Sequence, residues 1–333
     1  MYFSKKKFLF FTALSILGCR ADLPPSKILP KEKVAEIAAN IEQKYPEATN
    51  PEKKEILDTV LRSLDSMVYV QGGEFDMGDF GWKCDDDPTK LCTGWPCGIP
   101  KEQLCRLTGD SDNPLHRVRL SSYLISSKKT IVRDFDLFRK VHGQPIVDED
   151  LRSRDDLQKL YQSNKPVPVK GWQEAKDYCN WLGELSGYPV DLPTEAQWEY
   201  AARSRGEYVV FPTHNGSLNF GRNFPEERPK AQVVPRTFDA GSFPPNKLGL
   251  YEMGIGNAEL LNDWYSPTFY HESPLVDPQG PEHGEQKVER GASELEDPVS
   301  TANTVMRRQT DFLKRYRSYY SSFRCAIQQA KPL

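Results

Sequence analysis

The sequence predicts an α+β fold: one large domain with little regular secondary structure and much loop. Three observations carry that expectation. Thr194 and Gln197 stand three residues apart at the head of an apolar run, where the hydroxyl accepts the third helical N–H and the amide reaches back to the cap. Ala175, Tyr178, Cys179 and Leu182 recur at helical spacing in a second run, behind Gly171 as a weaker cap. Elsewhere Pro, Gly, Asn and Asp interrupt the chain, leaving short strand-like runs such as Val68-Tyr69-Val70 and Arg117-Val118-Arg119-Leu120. A chain of 333 residues can bury a large core. Its formal net charge of -3 gives no electrostatic case for a nucleic-acid partner.

From the N-terminus, residues 1–18 read as a bacterial lipoprotein signal peptide. Lys5-Lys6-Lys7 forms a basic start, Phe8 to Leu17 is apolar but too short to span a bilayer, and Ile16-Leu17-Gly18-Cys19 resembles a lipobox. Cys19 is then the lipidated first residue of the mature chain; the alternative is an ordinary signal peptide cut nearby, with Cys19 a free thiol. Arg20, in place of aspartate, points in a Gram-negative cell to the periplasmic face of the outer membrane. Residues 19–30, with Pro24, Pro25 and Pro30, read as an extended tether.

Residues 31–66 hold two short helices. Val34, Ile37, Ala38 and Ile41 line one face of the first. Asn50 caps the second, which has Pro51 in its first turn and Ile56, Val60, Leu61 and Leu64 on one face. These faces suit packing on the domain or on a partner. The main domain follows over residues 67–330, and Gly206 is placed to end the helix that starts at Thr194.

Seven cysteines less Cys19 leave six, an even number that suits three bridges in an oxidising compartment. Cys84, Cys92, Cys97 and Cys105 lie in an insertion over residues 84–105 that also carries Asp85-Asp86-Asp87. Two local disulfides are expected there. Four thiolates could instead hold zinc, but the two-residue ligand spacing of common zinc sites is missing. Four cysteines allow three pairings, and the spacing does not choose among them.

Ordered motifs run from Met67 to Ala326. They include Gly72-Gly73-Glu74-Phe75-Asp76-Met77-Gly78, Asn113-Pro114-Leu115-His116-Arg117-Val118, Leu192-Pro193-Thr194-Glu195-Ala196-Gln197-Trp198-Glu199-Tyr200-Ala201-Ala202-Arg203, Gly249-Leu250-Tyr251-Glu252-Met253, Arg290-Gly291-Ala292-Ser293 and Phe323-Arg324-Cys325-Ala326. Together they resemble the formylglycine-generating-enzyme (sulfatase-modifying-factor) family, whose fold is related to the C-type lectin fold.

The resemblance implies a long-range disulfide between Cys179 and Cys325. It also locates the chemistry, since the family holds Cu(I) with a thiolate pair, soft ligands that select that ion. Those two positions here read Glu296 and Thr301, and no cysteine lies between Cys179 and Cys325. A carboxylate and a hydroxyl do not replace thiolates, so a non-enzyme is expected. The family's iron-dependent sulfoxide synthase branch draws histidines from an additional helical domain. His116, His142, His214, His271 and His283 offer no pair at helical ligand spacing.

For calcium, the segment from Glu252 through Glu259 keeps both acidic ends of a family site, as a hard, oxygen-seeking ion requires. A second site would use Asn219 and the Phe220 carbonyl, but its acidic partner falls near Gln232. At most one structural calcium is expected, with metal-free acidic loops as the alternative, and no cofactor is required.

Binding remains as the expected role. Glu294, Glu296 and Asp297 stand where the reactive cleft was, and Arg307, Arg308, Tyr319 and Tyr320 follow. Arginine and tyrosine are frequent at interface hot spots; the alternative puts the tyrosines in the core and the arginines in solvent. The expected protein is a membrane-anchored, non-catalytic periplasmic lipoprotein that binds another protein. Its most concrete form is an immunity protein that neutralises a secreted antibacterial toxin such as a lipase effector. An active modifying enzyme with an unrecognised site and a structural lipoprotein of an envelope machine are the alternatives.

Overall fold

Two helices come first, α1 (Lys31–Lys44) and α2 (Asn50–Asp65), in a computed structural model that describes residues 23–84, 87–92, 94–108, 113–226, 238–292, 297–310 and 321–333. Strands β1 (Met67–Val70), β2 (Gly73–Met77), β3 (His116–Leu120) and β4 (Tyr123–Ser126) follow, then α3 (Val132–Val141) and α4 (Trp172–Ser186). Next come β5 (Val190–Asp191), α5 (Glu195–Ala202), β6 (Ala258–Trp264), α6 (Phe269–Glu272) and β7 (Lys287–Arg290). The chain closes with α7 (Pro298–Thr301), β8 (Arg307–Gln309), β9 (Ser321–Ser322) and β10 (Ala326–Ile327). This is the mixed, loop-rich architecture the sequence predicts. Among the described residues no helix is long and apolar enough to cross a membrane.

The first two helices are built into the domain. Ile37, Ile41, Ile56, Val60 and Leu64 share one apolar core with Phe135 of α3, Tyr178 and Trp181 of α4, and Phe323. Polar contacts fix the docking: Asn40 donates to the Leu185 carbonyl at 3.0 Å, and the Trp181 indole donates to the Tyr45 hydroxyl at 2.7 Å. The cap of α2 is Thr49 rather than Asn50. Thr49 Oγ1 accepts the Glu52 N–H while Glu52 accepts the Thr49 N–H, so one pair satisfies two orphan donors.

Three sheets result, ordered β1-β4-β10-β5, β2-β3 and β8-β7-β6-β9. Residues 321–327 stitch two of them together. β9 runs parallel to β6, whereas β10 is inserted antiparallel between β4 and β5. Between them Phe323 enters the helical core, Arg324 meets Glu259, and Cys325 bonds Cys179 of α4.

Helix α5 starts at the predicted capping box, with Thr194 accepting from Gln197 N at 3.2 Å. All eight of its residues are buried, so it runs through the interior instead of along a surface. It ends at Ala202, four residues short of Gly206. The Arg205 and Gly206 amides both turn back onto the Tyr200 carbonyl, at 2.8 and 3.1 Å. Gly206 has φ 78°, and a Cβ there would stand 2.4 Å from that of Phe75.

The insertion is closed by nested disulfides, Cys84–Cys105 outside and Cys92–Cys97 inside. Trp95 anchors it by stacking on Tyr208, ring centroids 4.0 Å apart, while its indole N–H reaches the Phe80 and Gly81 carbonyls. Asp85 and Asp86 lie outside the described residues; Asp87 accepts from Thr89 in a local turn.

Candidate functional site

A buried ionic frame underlies the segment where the chemistry of this scaffold is expected. Helix α5 carries Glu195 and Glu199 one turn apart, and strands β7 and β8 bring Arg290 and Arg307 to them. Arg290 bridges both acids, at 2.9 Å to Glu195 and 2.7 Å to Glu199. Arg203 holds the other Glu199 oxygen at 2.9 Å, which also accepts the Gly78 N–H at 2.9 Å. Burial works against the Glu195 charge, yet Arg307 and Arg290 hold its carboxyl below the usual range. Asp263, behind Glu195, is instead pushed up to about 7, by burial first and by the Glu195 charge second.

The frame positions the loop above it. Arg290 Nη2 donates to the Thr304 carbonyl at 2.6 Å, and Arg308 donates to the Gly291 carbonyl at 2.6 Å. Gly291 and Ala292 are buried. Asp297 is exposed and accepts the Ser300 N–H at 3.0 Å, while the Thr301 hydroxyl donates to the Asp297 carbonyl at 2.7 Å. The hydroxyl at one former copper position therefore serves a local turn.

The insertion is seated on the same ground. Ala292, Ala302 and Val305 form one apolar cluster with Phe80, Trp82 and Ile255, and Trp95, Cys92, Cys97 and Leu107 pack against it. Spacing alone did not place this insertion beside the remodelled segment. The cluster of aromatic residues at Phe80, Trp82 and Trp95 was the available signal.

Of the residues expected at a partner surface, Glu294, Glu296, Tyr319 and Tyr320 lie outside the described residues, as does Cys19. Arg307 is corrected: it is only 5% exposed, its guanidinium spent on Glu195 and packed on the Tyr270 ring at 4.0 Å. A buried carboxylate needs a cation, and Arg307 is that cation. Arg308 is half-buried and Asp297 open.

The residues expected to hold calcium have other partners here. The Glu252 carboxylate accepts the Gly241 and Phe243 amides. The Glu259 carboxylate is fully buried and taken by Arg324 at 2.7 and 2.8 Å and by the Trp198 indole at 3.0 Å. The Asn219 carbonyl accepts three amides of its own turn, from Arg222, Asn223 and Phe224. Among the described residues, no three His, Cys, Asp or Glu side chains are grouped as a metal site. His116 sits on β3 with its ring 4.4 Å from Tyr270. Cys84, Cys92, Cys97, Cys105, Cys179 and Cys325 are all in disulfides.

Fold and site together define a scaffold of the formylglycine-generating type, with a buried ionic frame and without the copper thiolates. The chain belongs to the family of sulfatase-modifying factor enzyme 1-like domains, which matches residues 29–329 and so includes α1 and α2. It is 28% identical over 283 residues to a formylglycine-generating enzyme of Streptomyces coelicolor, covering 70% of this chain and 80% of that protein. It is also similar to the mouse protein described as inactive C-alpha-formylglycine-generating enzyme 2, at 29% identity over half of each chain. Among solved structures, PvdO from Pseudomonas aeruginosa superposes with TM-score 0.56 at 20% identity, over 79% of this chain and 94% of that one. Treponema denticola variable protein 1 superposes with TM-score 0.51 at 17% identity, over 79% and 95%.

Proposed function

We propose that this chain is a non-catalytic member of its family that acts by binding another protein, held at the envelope membrane by a lipid on Cys19. One observation carries the reading: Glu296 and Thr301 occupy the copper positions, and the six cysteines after Cys19 are consumed in disulfides. A scaffold whose stability rests on bridges and a buried ionic frame tolerates rebuilt loops, and its function follows from whatever site those loops form. The candidate surface is the exposed stretch around Asp297 and Ser300 with half-buried Arg308, beside the disulfide insertion. The name of the mouse relative supports loss of activity as a path open to this family.

The most concrete version is an immunity protein on the periplasmic face of the outer membrane, neutralising a secreted toxin such as a lipase effector. The reading rests on the combination of export signal, lipobox and lost thiolates. Its test uses the full chain as bait in extracts of its own cells, followed by reconstitution with the purified partner. A stoichiometric complex that weakens with Asp297→Lys or Arg308→Glu supports the binding role, and inhibition of the partner's toxic activity supports the immunity form. Oxygen-dependent conversion of a cysteine peptide to formylglycine overturns both. For the anchor, lipid labelling and membrane retention are expected in the wild type and lost in Cys19→Ala; an unlabelled wild type removes the lipoprotein reading.

A further inference from the structure

Lys129, 123 residues before Glu252 in the sequence, is buried with its ammonium against the 252–259 segment. Its Nζ donates to the Glu252 carbonyl, to the Ile255 carbonyl at 2.9 Å, and to Glu259 Oε1 at 3.2 Å. An ammonium has three N–H groups, and three oxygens meet it. The side chain is 1% exposed and that of Glu259 0%. We propose that Lys129 is a built-in cation that takes the place of a metal ion in this loop, so that the domain folds without calcium at the Glu252–Glu259 segment.

The donor chemistry favours the ammonium over a divalent ion. Calcium takes six to eight oxygens at roughly 2.3–2.6 Å. Here two carbonyls and one carboxylate oxygen converge, and the Glu252 carboxylate faces away to the Gly241 and Phe243 amides. A second fixed cation already shares Glu259: Arg324 binds both its oxygens and also reaches the Ser126, Ser127 and Tyr251 carbonyls. A divalent ion would have to expel Lys129 and sit beside the Arg324 guanidinium. Burial lowers the Lys129 pKa, and the Glu259 charge opposes that shift. The covalent tether keeps the cation present whatever the calcium level outside the cell.

The test compares thermal unfolding of the full chain with excess EDTA and with excess calcium, together with calorimetric titration of calcium. The wild type is expected to unfold at the same temperature in both and to bind no calcium that stabilises it. Lys129→Met, which keeps the volume and removes the charge, is expected to lower the Tm by about 5–15 °C. One equivalent of calcium that raises the wild-type Tm overturns the proposal, as does a Lys129→Met variant as stable as the wild type. If that variant does not fold, the wild-type comparison still decides.

Discussion

Arg307 on β8 holds Glu195 on α5 with two hydrogen bonds, Nε at 3.0 Å and Nη2 at 2.9 Å from the carboxylate oxygens. The pair joins the edge of a sheet to the central helix across 112 residues of sequence. Arg307→Ala leaves a buried carboxylate with Arg290 alone and is expected to cost about 3–5 kcal/mol. Arg308→Ala, at a half-buried side chain, costs about 2 kcal/mol. Urea unfolding of the two variants side by side checks the ranking, and equal losses would contradict it.

The Cys179–Cys325 bridge closes a loop of 146 residues and fastens α4 to the chain between β9 and β10. Replacing both cysteines with serine is expected to lower stability by roughly 2–5 kcal/mol. Peptide mapping without reductant should recover the linked pair, and finding both thiols free would remove the bridge from the account.

Asp263 sets a pH dependence of known sign. Its carboxyl moves from 3.8 to about 7 on folding, chiefly through burial, so the folded state binds more protons between those values. The contribution favours folding below the lower value and is lost as pH rises through about 7, a change of up to about 4 kcal/mol. Asp263→Asn keeps an acceptor for the Glu195 N–H, now 2.9 Å from Asp263, but cannot charge. Denaturation curves should show the variant gaining on the wild type as pH rises from acid to alkaline; parallel curves would refute the assignment.

Trp95 is the insertion's hold on the domain. Trp95→Ala removes the stack on Tyr208 and two indole hydrogen bonds, for an expected loss of about 2–4 kcal/mol. Limited proteolysis should then cut within residues 84–105 while the helical core stays protected. Unchanged protection of the insertion would show that the nested disulfides suffice.

Local chemistry made part of this fold legible and distance hid the rest. The Thr194–Gln197 box could be read because both partners lie within one turn, and the runs at β1 and β3 because alternation is a local pattern. Strand partners could not: β10 sits between β4 and β5, and nothing in its two residues names either neighbour. Arg307 reads as a charged surface residue because its carboxylate partner, Glu195, lies far upstream. The missed signal was on α5, where Glu195 and Glu199 stand in a helix flanked by Trp, Tyr and Ala; acids without a polar face demand buried cations. The same reasoning applies to Glu259, whose partners Lys129 and Arg324 lie far from it in sequence, one upstream and one downstream.

Because residues 321–327 enter two sheets at once, neither sheet is whole while that stretch is still inside the ribosome. Cys179 likewise waits for Cys325, and Glu259 for Arg324. Early segments can form helices, but their sheets wait for a stretch made far downstream. The domain therefore reaches its final pairing only once residues 321–327 are free to enter both sheets, and an oxidant can then seal the bridge.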